Sequence, residues 1–582
     1  MARVMQDRYW FEMPDDEYTS TQLQEKAGMD RDAIPVIRRG DKDIAVEPDE
    51  VVRLEPEDRV IFTTPTKAAF DMKPMFFNLI RKVASRQNAG AMNSVPLVFR
   101  EDDYKCMREH LLREDSKERV SFILFGTRGE DPVKEAFVHR IINLEDSEYA
   151  RQSGMHVVPK IVSQMKAFRA FSSSDIPGFM HVHSHPFADN AEFSYTDRKS
   201  VAETVRSLRD YLTSDDKTGT FLYGTLVMGR SEKGFSGVFY DYKSAMKEKL
   251  GEIRTIGIKG FRRIRSYETI ASRETAIPDI EMLDRNIKWL GEEGQKRLSE
   301  TSMVICGAGG VGGMVAMNIR GLGLKKITLI DDDWIEKSNL NRLPSATLHD
   351  VGEYKVNVMA RMIKDVSPGT EVDTIPEKVS CDEGRTRKAI AEADIIVAAV
   401  DSFQARFDIQ WLAARYLKPL IDIGSGINLS TDTSTVKFMG GQIACYVPGG
   451  PCLCCQAVVP RDIESEFSRE VKKMTGYVKG TDITPTSVVT INSIVAGYAV
   501  DVIIKFITGF SEIQTYMKYD LLNMTSQTFN FGKKTDCLIC GHNGVEGKGD
   551  DVITVPFGCS NVFDKKAEQN NEYPLVIHGL FG

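Results

Sequence analysis

A strand, a glycine-rich turn and a helix follow one another near residue 307, and this run constrains the fold more than any other feature. TSMVICG reads as a strand, Gly307-Ala-Gly309-Gly310-Val-Gly312 as the turn, and KKITLID as the strand after the helix. A strand–helix–strand unit of this kind builds a parallel sheet. ADIIVAAV and PLIDIG supply further strands. Glycines let a backbone approach a phosphate closely, and a helix N-terminus attracts its charge. Asp331, ending the second strand, stands where an acid grips a ribose hydroxyl. The glycine spacing alone also fits a dinucleotide site, so an NAD-dependent oxidoreductase stays open at this point.

The chain has 582 residues, enough for several cores, so an α/β multidomain protein is expected. A net charge of -8 gives no reason to expect nucleic-acid binding. The start, MARVMQDRYW, lacks a signal-peptide core. The apolar run Ile494–Ile504 is broken by Asp501 and stops at Lys505, so no membrane span is read and a cytoplasmic protein is expected. Four of the ten cysteines form two pairs, Cys452/Cys455 and Cys537/Cys540. Four thiolates at that spacing predict a closed, structural zinc site, with Cys454 as a bystander. Buried free thiols are the plainer alternative.

Punctuation along the chain gives five segments. Residues 1–70 hold a strand at Val4–Phe11, a helix capped by Thr19 or Ser20 and ended by Gly28, then IPVIR, a Gly40-Asp41 turn, DIAV and VIFTT. That succession suggests a β-grasp fold. Residues 95–245 alternate strands (SFILFG, EAFVHRIINL, GFMHVHSH, TGTFLYGTLVMG) with helical stretches. Residues 246–278 read as a basic connector, 279–545 as the Rossmann-like parallel-sheet domain, and 546–582 as a polar tail.

Within 95–245, His183 and His185 lie two apart in a strand and so share one face. Two imidazoles with one nearby carboxylate make a three-ligand site that leaves a position for water, as catalytic zinc requires. Zinc-assisted amide hydrolysis, with a glutamate as proton shuttle, follows from that ligand set. The plainer reading is also open: Ser194 and Asp197 cap the helix of SYTDRKSVAETVRSL, and the histidines are ordinary strand residues. His183-Ser-His185-Pro, seven residues, Ser194, two residues, Asp197 resembles the full signature of the JAMM metalloproteases, which remove ubiquitin and its relatives. The resemblance implies catalytic zinc on His183, His185 and Asp197, and Ser194 stabilising the tetrahedral intermediate. The family's glutamate precedes an upstream strand that ends in glycine. Glu118 of ERVSFILFG is the candidate, with Glu114 and Glu109 behind it. Its spacing to Gly126 is one residue longer than usual, and one residue flips a strand's face.

The residues after the glycine turn separate the nucleotide readings. DDDWIEKSNLNR is followed by Lys355, and Asp401 ends ADIIVAAV with Arg406 behind it. This ordered set, over roughly 279–540, resembles the ubiquitin-activating family, which includes the adenylyltransferases of thiamin and molybdopterin synthesis. The resemblance implies that Gly307, Gly309, Gly310 and Gly312 cradle ATP, that Asp331 holds its ribose, that Asn339, Arg342 and Lys355 contact its phosphates, and that Asp401 holds magnesium. A carboxylate attacking an α-phosphate expels pyrophosphate, and such charge needs cations around it. Asp284-Arg285-Asn-Ile resembles the segment whose arginine enters a partner's ATP site, so Arg285 implies a homodimer. Surface salt bridges for Arg285, Arg342 and Lys355, and a helix cap for Asp401, are the plain alternatives. The two cysteine pairs match the family's structural zinc.

One part of that pattern is missing. Residues 456–536 contain no cysteine, where the family keeps its transfer nucleophile. Cys306 reads as core, and Cys381, Cys445 and Cys559 lie elsewhere. Direct hand-over of the adenylate, an oxyester on Thr481, Thr484, Thr486 or Ser487, or a distant cysteine are the options. The N-terminal unit resembles ubiquitin-like domains but ends in TTPTKAAF without a diglycine tail, which suggests a docking role. Together the resemblances imply a bifunctional enzyme that processes and then activates a small ubiquitin-like protein with a C-terminal glycine, beside a conjugating enzyme. Activation of a sulfur carrier is the alternative.

Overall fold

The computed structural model describes residues 2–6, 9–13, 17–19, 22–23, 34–39, 42–46, 51–55, 59–63, 94–129, 133–214, 221–241, 247–266, 279–381, 384–429, 435–460 and 488–550. They fall into two units, one of residues 1–257, 261–274 and 547–553, the other of 258–260, 275–546 and 554–582.

The first unit opens with β1 (Ala2–Gln6), β2 (Tyr9–Met13), β3 (Glu17–Thr19), β4 (Ile34–Arg39), β5 (Lys42–Ala45), β6 (Val51–Arg53) and β7 (Arg59–Thr63). Five of them form a sheet in the order β2-β1-β7-β4-β5, while β3 pairs with β6. β1 and β7 are parallel, and the flanking pairs are antiparallel. The single strand expected over Val4–Phe11 is two, β1 and β2, and the sequence between them has no Gly or Pro to announce the break. The Thr19 cap is present: its Oγ1 accepts from Gln22 N at 3.3 Å, and its N–H donates to Gln22 Oε1 at 2.8 Å. Gly28 and the Gly40-Asp41 turn lie outside the described residues.

A second, larger sheet follows: β8 (Ser94–Arg100), β9 (Val120–Arg128), β10 (Glu135–Asn143), β13 (Gly178–Ser184), β14 (Leu222–Met228), β15 (Phe235–Asp241), β16 (Lys247–Gly257) and β17 (Gly260–Arg265), with a small hairpin of β11 (Tyr149–Gln152) and β12 (Val157–Pro159) beside it. Its order is β15-β14-β13-β9-β10-β8-β16-β17, so β9 and β13 lie at its centre. Strand alternation divides its side chains into two cores. Ile123, Phe125, Met180 and Val182 face helix α1 (Glu101–Leu111), which offers Tyr104, Met107 and Leu111 at helical spacing. Val120, Phe122, Leu124 and Phe179 face helices α2 (Ile161–Ser172) and α3 (Tyr195–Ser214) through Phe168, Phe171, Leu208 and Tyr211. Each such fully buried Leu or Phe contributes roughly 1.5–3 kcal/mol.

Two segment boundaries need correction. The whole of 246–278 reads as a connector, yet β16 and β17 of this sheet lie within it, with Leu250, Ile253, Ile256 and Ile264 buried. A bulge between Leu250 and Glu252 breaks the period of two, so charged neighbours hide the apolar face. The polar tail also begins inside this unit. Gly547 O accepts from Gly126 N at 3.1 Å, and Asp550 N donates to Thr127 O at 2.6 Å. A Cβ on Gly126 would stand 2.3 Å from the Lys548 backbone, so only glycine admits this crossing. The rest of the tail, 551–582, lies outside the described residues.

The second unit holds β18 (Ser302–Cys306), β19 (Lys326–Ile330), β20 (Glu371–Ile375), β21 (Ile395–Ala398) and β22 (Leu420–Leu429), all parallel, in the order β20-β19-β18-β21-β22. β23 (Val436–Tyr446), β24 (Tyr516–Asp520) and β25 (Thr525–Thr528) extend it antiparallel. Its helices are α4 (Ile280–Glu300), α5 (Gly310–Ile319), α6 (Lys355–Val366), α7 (Arg385–Glu392), α8 (Phe403–Arg415) and α9 (Val489–Thr508). The chain reverses direction across the sheet between β18 and β21, and open α/β sheets bind ligands at that switch point. α9 is long and apolar enough to cross a membrane, but most of it is buried in this unit, including Ile491, Val495, Ile503 and Ile507.

Candidate functional sites

At the switch point the glycine turn behaves as its spacing requires. Gly307 has a φ of 96°, and a Cβ there would stand 2.5 Å from Ala399 O at the end of β21. A Cβ on Gly312 would meet Gly307 O at 1.9 Å. Gly309 begins α5 with nothing within 4 Å of a Cβ, and Gly310 is the first residue of that helix. The Asp331 carboxylate accepts from Ala308 N at 2.6 Å and from Asp333 N at 2.8 Å, which ties β19 to the turn after β18. Burial raises the Asp331 pKa against the opposing charge of Lys355 and these two hydrogen bonds.

Lys355, first residue of α6, pairs with Asp333 at 2.5 Å. Asp333 was missed in the sequence, though the run Asp331-Asp332-Asp333 was its signal. Trp334 and Tyr354 stack with centroids 3.8 Å apart and zip the two loops together. Asn339 is buried, and its Oδ1 accepts from Glu336 N at 3.1 Å, closing a capping box around the turn Lys337–Asn339. Arg342 donates to Ser338 O at 2.8 Å and to Asn341 Oδ1 at 3.2 Å in its own loop, apart from the Asp331–Lys355 group. Asp401 is exposed just past β21, and the cap of α8 belongs to Ser402, whose Oγ accepts from Ala405 N at 3.1 Å. Asp401 is therefore left without a capping duty. Behind it, Arg406 donates to Val400 O at 2.9 Å and pairs with the buried Asp422 at 2.9 Å. Arg285 projects into solvent, its side chain 93% exposed and 4.0 Å from Asp284.

The four paired cysteines converge. Cys452 Sγ lies 3.5 Å from Cys537 Sγ and Cys455 Sγ 3.6 Å from Cys540 Sγ, and all four sulfurs lie within 4.8 Å of one another. Sulfurs at the zinc–thiolate bond length on a tetrahedron stand roughly 3.8 Å apart, so the set fits zinc. Cys454 is separate and accepts from Gln410 Nε2 at 2.9 Å. Among the other thiols, burial pushes Cys306 and Cys445 up to about 12, and Cys381 is disulfide-bonded. Cys559, Thr481, Thr484, Thr486 and Ser487 lie outside the described residues.

In the first unit, β9 and β13 pair antiparallel without a bulge, with Val120 opposite His183. Two steps further along, the same register sets Glu118 against His185, and opposed residues share a face. The extra residue before Gly126 therefore leaves Glu118 on the histidine side. Glu118 is half-buried, whereas Glu109 and Glu114 are exposed. Burial raises its carboxyl to about 7, with the Asp197 charge adding to this and His185 opposing it.

Asp197, at the start of α3, reaches both imidazoles: Oδ1 is 3.2 Å from His183 Nε2 and Oδ2 is 3.4 Å from His185 Nε2. Burial opposes its ionisation, but the two histidines and Ser194 hold its carboxyl far below the usual range. His185 is raised on balance, burial being outweighed by Asp197 and Glu118. Two ligands about 2.1 Å from a tetrahedral zinc stand roughly 3.4 Å apart, so these separations fit a shared metal. His183 is buried, and neither of its ring nitrogens makes an aligned hydrogen bond. The helix cap is equally real. Ser194 N donates to Asp197 Oδ2 at 2.7 Å and Asp197 N to Ser194 Oγ at 3.1 Å. The spacing of Ser194 and Asp197 thus serves the helix end and the cluster together.

Residues 283–539 match the ThiF family model. They form a ThiF-family, E1-like adenylyltransferase domain. The SAMP-activating enzyme E1 of Haloferax volcanii is 26% identical over 260 residues, covering 44% of this chain and 86% of that protein. Ubiquitin-like modifier-activating enzyme 5 of Drosophila pseudoobscura pseudoobscura is 26% identical over 239 residues, or 39% of this chain and 56% of that relative. Among solved structures, E. coli MccB with ATP is 23% identical, covers 46% of this chain and 76% of that chain, and gives a TM-score of 0.36. With the ThiF domain identified, the oxidoreductase reading loses its support.

Proposed function

We propose that the second unit adenylates the C-terminal carboxylate of a small ubiquitin-like protein with a terminal glycine. The observation that carries this reading is the chain of contacts from Ala308 through Asp331 and Asp333 to Lys355, set at the sheet's switch point. In it the glycine turn and the α5 N-terminus receive phosphate, and Asp331 holds the ribose. Asn339, Arg342 and Lys355 neutralise the departing pyrophosphate, which requires Lys355 to exchange Asp333 for phosphate. Asp401 holds magnesium, whose charge lowers the cost of separating the phosphates. The exposure of the Arg285 side chain supports its reaching a second copy, so a homodimer is part of the reading. The four-cysteine site holds structural zinc. ATP–pyrophosphate exchange with glycine-tailed proteins tests the whole.

In the same proposal the sheet of β8–β17 is a JAMM-type zinc peptidase that trims or removes that protein. Support comes from the convergence of His183, His185 and Asp197 with Glu118 across β9 and β13. A zinc held there supplies a Lewis acid and a water of lowered pKa. Glu118 takes a proton from the attacking water and returns it to the leaving nitrogen. Ser194 fixes Asp197 through their mutual hydrogen bonds and lies beside the developing oxyanion. Loss of cleavage with zinc retained in Glu118→Gln tests this, and undiminished cleavage contradicts it. The N-terminal strand order, with a parallel central pair between two hairpins, supports a ubiquitin-like β-grasp domain that docks partners. Transfer to a conjugating enzyme then proceeds directly from the adenylate or through an oxyester. The absence of cysteine from 456–536 also favours a second reading, activation of a sulfur carrier, whose signature is a thiocarboxylate product.

A further inference from the structure

Glu118 sits outside β9 proper, at the end of a turn with little core of its own. Asp115 and Lys117 are exposed, and Ser116 adopts a φ of 55°, a left-handed conformation that a residue other than glycine keeps only when its surroundings enforce it. The residue after Glu118 spans this turn. Arg119 is completely buried, with 0% of its side chain exposed. Its Nη1 and Nη2 donate to Asp115 Oδ1 and Oδ2 at 2.7 and 2.5 Å, a two-pronged pair across the turn. Nη2 also lies 3.4 Å from Asp146, and Nη1 donates to Lys117 O at 3.4 Å.

The backbone of Arg119 is fixed as firmly. Its N–H donates to Ser184 Oγ at 3.0 Å, and its carbonyl accepts from Ser184 N at 3.1 Å. Ser184 is the residue between His183 and His185. On the other side, Glu118 N donates to Ser153 O at 2.8 Å, and Gln152 Nε2 donates to Glu118 O at 3.2 Å. The main chain of Glu118 is therefore held from the histidine strand and from the β11–β12 hairpin, while the turn before it is closed by Arg119.

We propose that Arg119 is a positioning residue: by closing the turn at Asp115 and clamping its backbone to Ser184, it aims Glu118 at the His183–His185–Asp197 cluster. This rests on the peptidase reading above. The hydrogen bonds of Arg119 go to Asp115, Lys117, Asp146 and Ser184, while His183 stands on β13, His185 is tied by its N–H to Met228 O, and Asp197 stands on α3. Loosening the turn accordingly lowers kcat without lowering metal content or substrate affinity. A displacement of about 1 Å in a catalytic group costs on the order of 100-fold in rate.

The test uses the full-length, zinc-loaded chain and a glycine-tailed ubiquitin-like protein carrying a short C-terminal fluorescent peptide. Arg119→Lys and the surface variant Asp115→Asn are compared with wild type and with Glu118→Gln. Rates are normalised to bound zinc, and amide hydrogen exchange is followed over residues 116–120. The expected result is a kcat at least about tenfold lower in both variants, KM and zinc content unchanged, and faster exchange at Glu118 and Arg119. If exchange is unchanged, or if it quickens while kcat per zinc holds, the proposal is overturned. Should Arg119→Lys not fold, Asp115→Asn decides alone. If wild type does not cleave, or Glu118→Gln cleaves as well as wild type, the peptidase reading fails. The exchange data then still judge the clamp by themselves.

Discussion

Gly307 and Gly309 are both glycines in one turn, yet they are needed for different reasons. Gly307 has positive φ and a neighbour 2.5 Å from any added Cβ, whereas Gly309 has a φ of -78° and open space around it. Gly307→Ala is expected to destabilise the second unit by more than about 1 kcal/mol. Gly309→Ala is expected to leave stability within about 0.5 kcal/mol but to raise the ATP KM, because in the proposed site the methyl group would stand in the path of the phosphates. Denaturant unfolding and exchange kinetics on the two variants check this contrast. Asp115 offers a residue-scale pH prediction. Arg119 lowers its pKa from 3.8 to about 2, so the pair's contribution is fully present above about pH 4 and is lost as pH falls through the folded value. Urea unfolding of the first unit between about pH 5 and about pH 2 should lose that part of its pH slope in Asp115→Asn. An unchanged slope would mean the pair contributes nothing.

At the scale of elements, the sequence was legible where a period or a spacing carried the information. The strand–turn–helix at 302–320 and the histidine strand GFMHVHS form where their apolar runs imply, because strands buried on both faces read as nearly continuous apolar runs. The break between β1 and β2 and the strands β16 and β17 were not legible. The first has no Gly or Pro in the sequence to mark it, and β16 carries a bulge that shifts its apolar positions. Arg119 was equally hidden. In REDSKERV it is one charge among six, and only the fold shows that it alone is buried. The side of Glu118 depended on an unbroken β9–β13 register, which no spacing reveals. That register gives an element-scale prediction. A His183→Ala chain should fold with its α3 cap intact, since Ser194 and Asp197 bond each other, and should lose one equivalent of zinc. Metal analysis showing no loss would separate the cluster from metal binding.

Across the whole chain, the proposal requires two zinc sites of opposite character. The four-cysteine set has four buried ligands, whereas the His183–His185–Asp197 set offers three, two of them only partly buried. Wild type should carry two zinc ions per chain, and a mild chelator should remove the open one first. Peptidase activity should fall in step with that loss while adenylation persists, because the residues proposed for ATP share no ligand with that metal. Simultaneous loss of both activities would count against two separate sites. The central claim is adenylation, and pyrophosphate exchange reads it most directly. With a glycine-tailed ubiquitin-like protein, wild type should return labelled pyrophosphate into ATP. Asp401→Asn should reduce that exchange by roughly 100-fold or more. Exchange absent with every such protein, or equal in Asp401→Asn and wild type, would contradict the account.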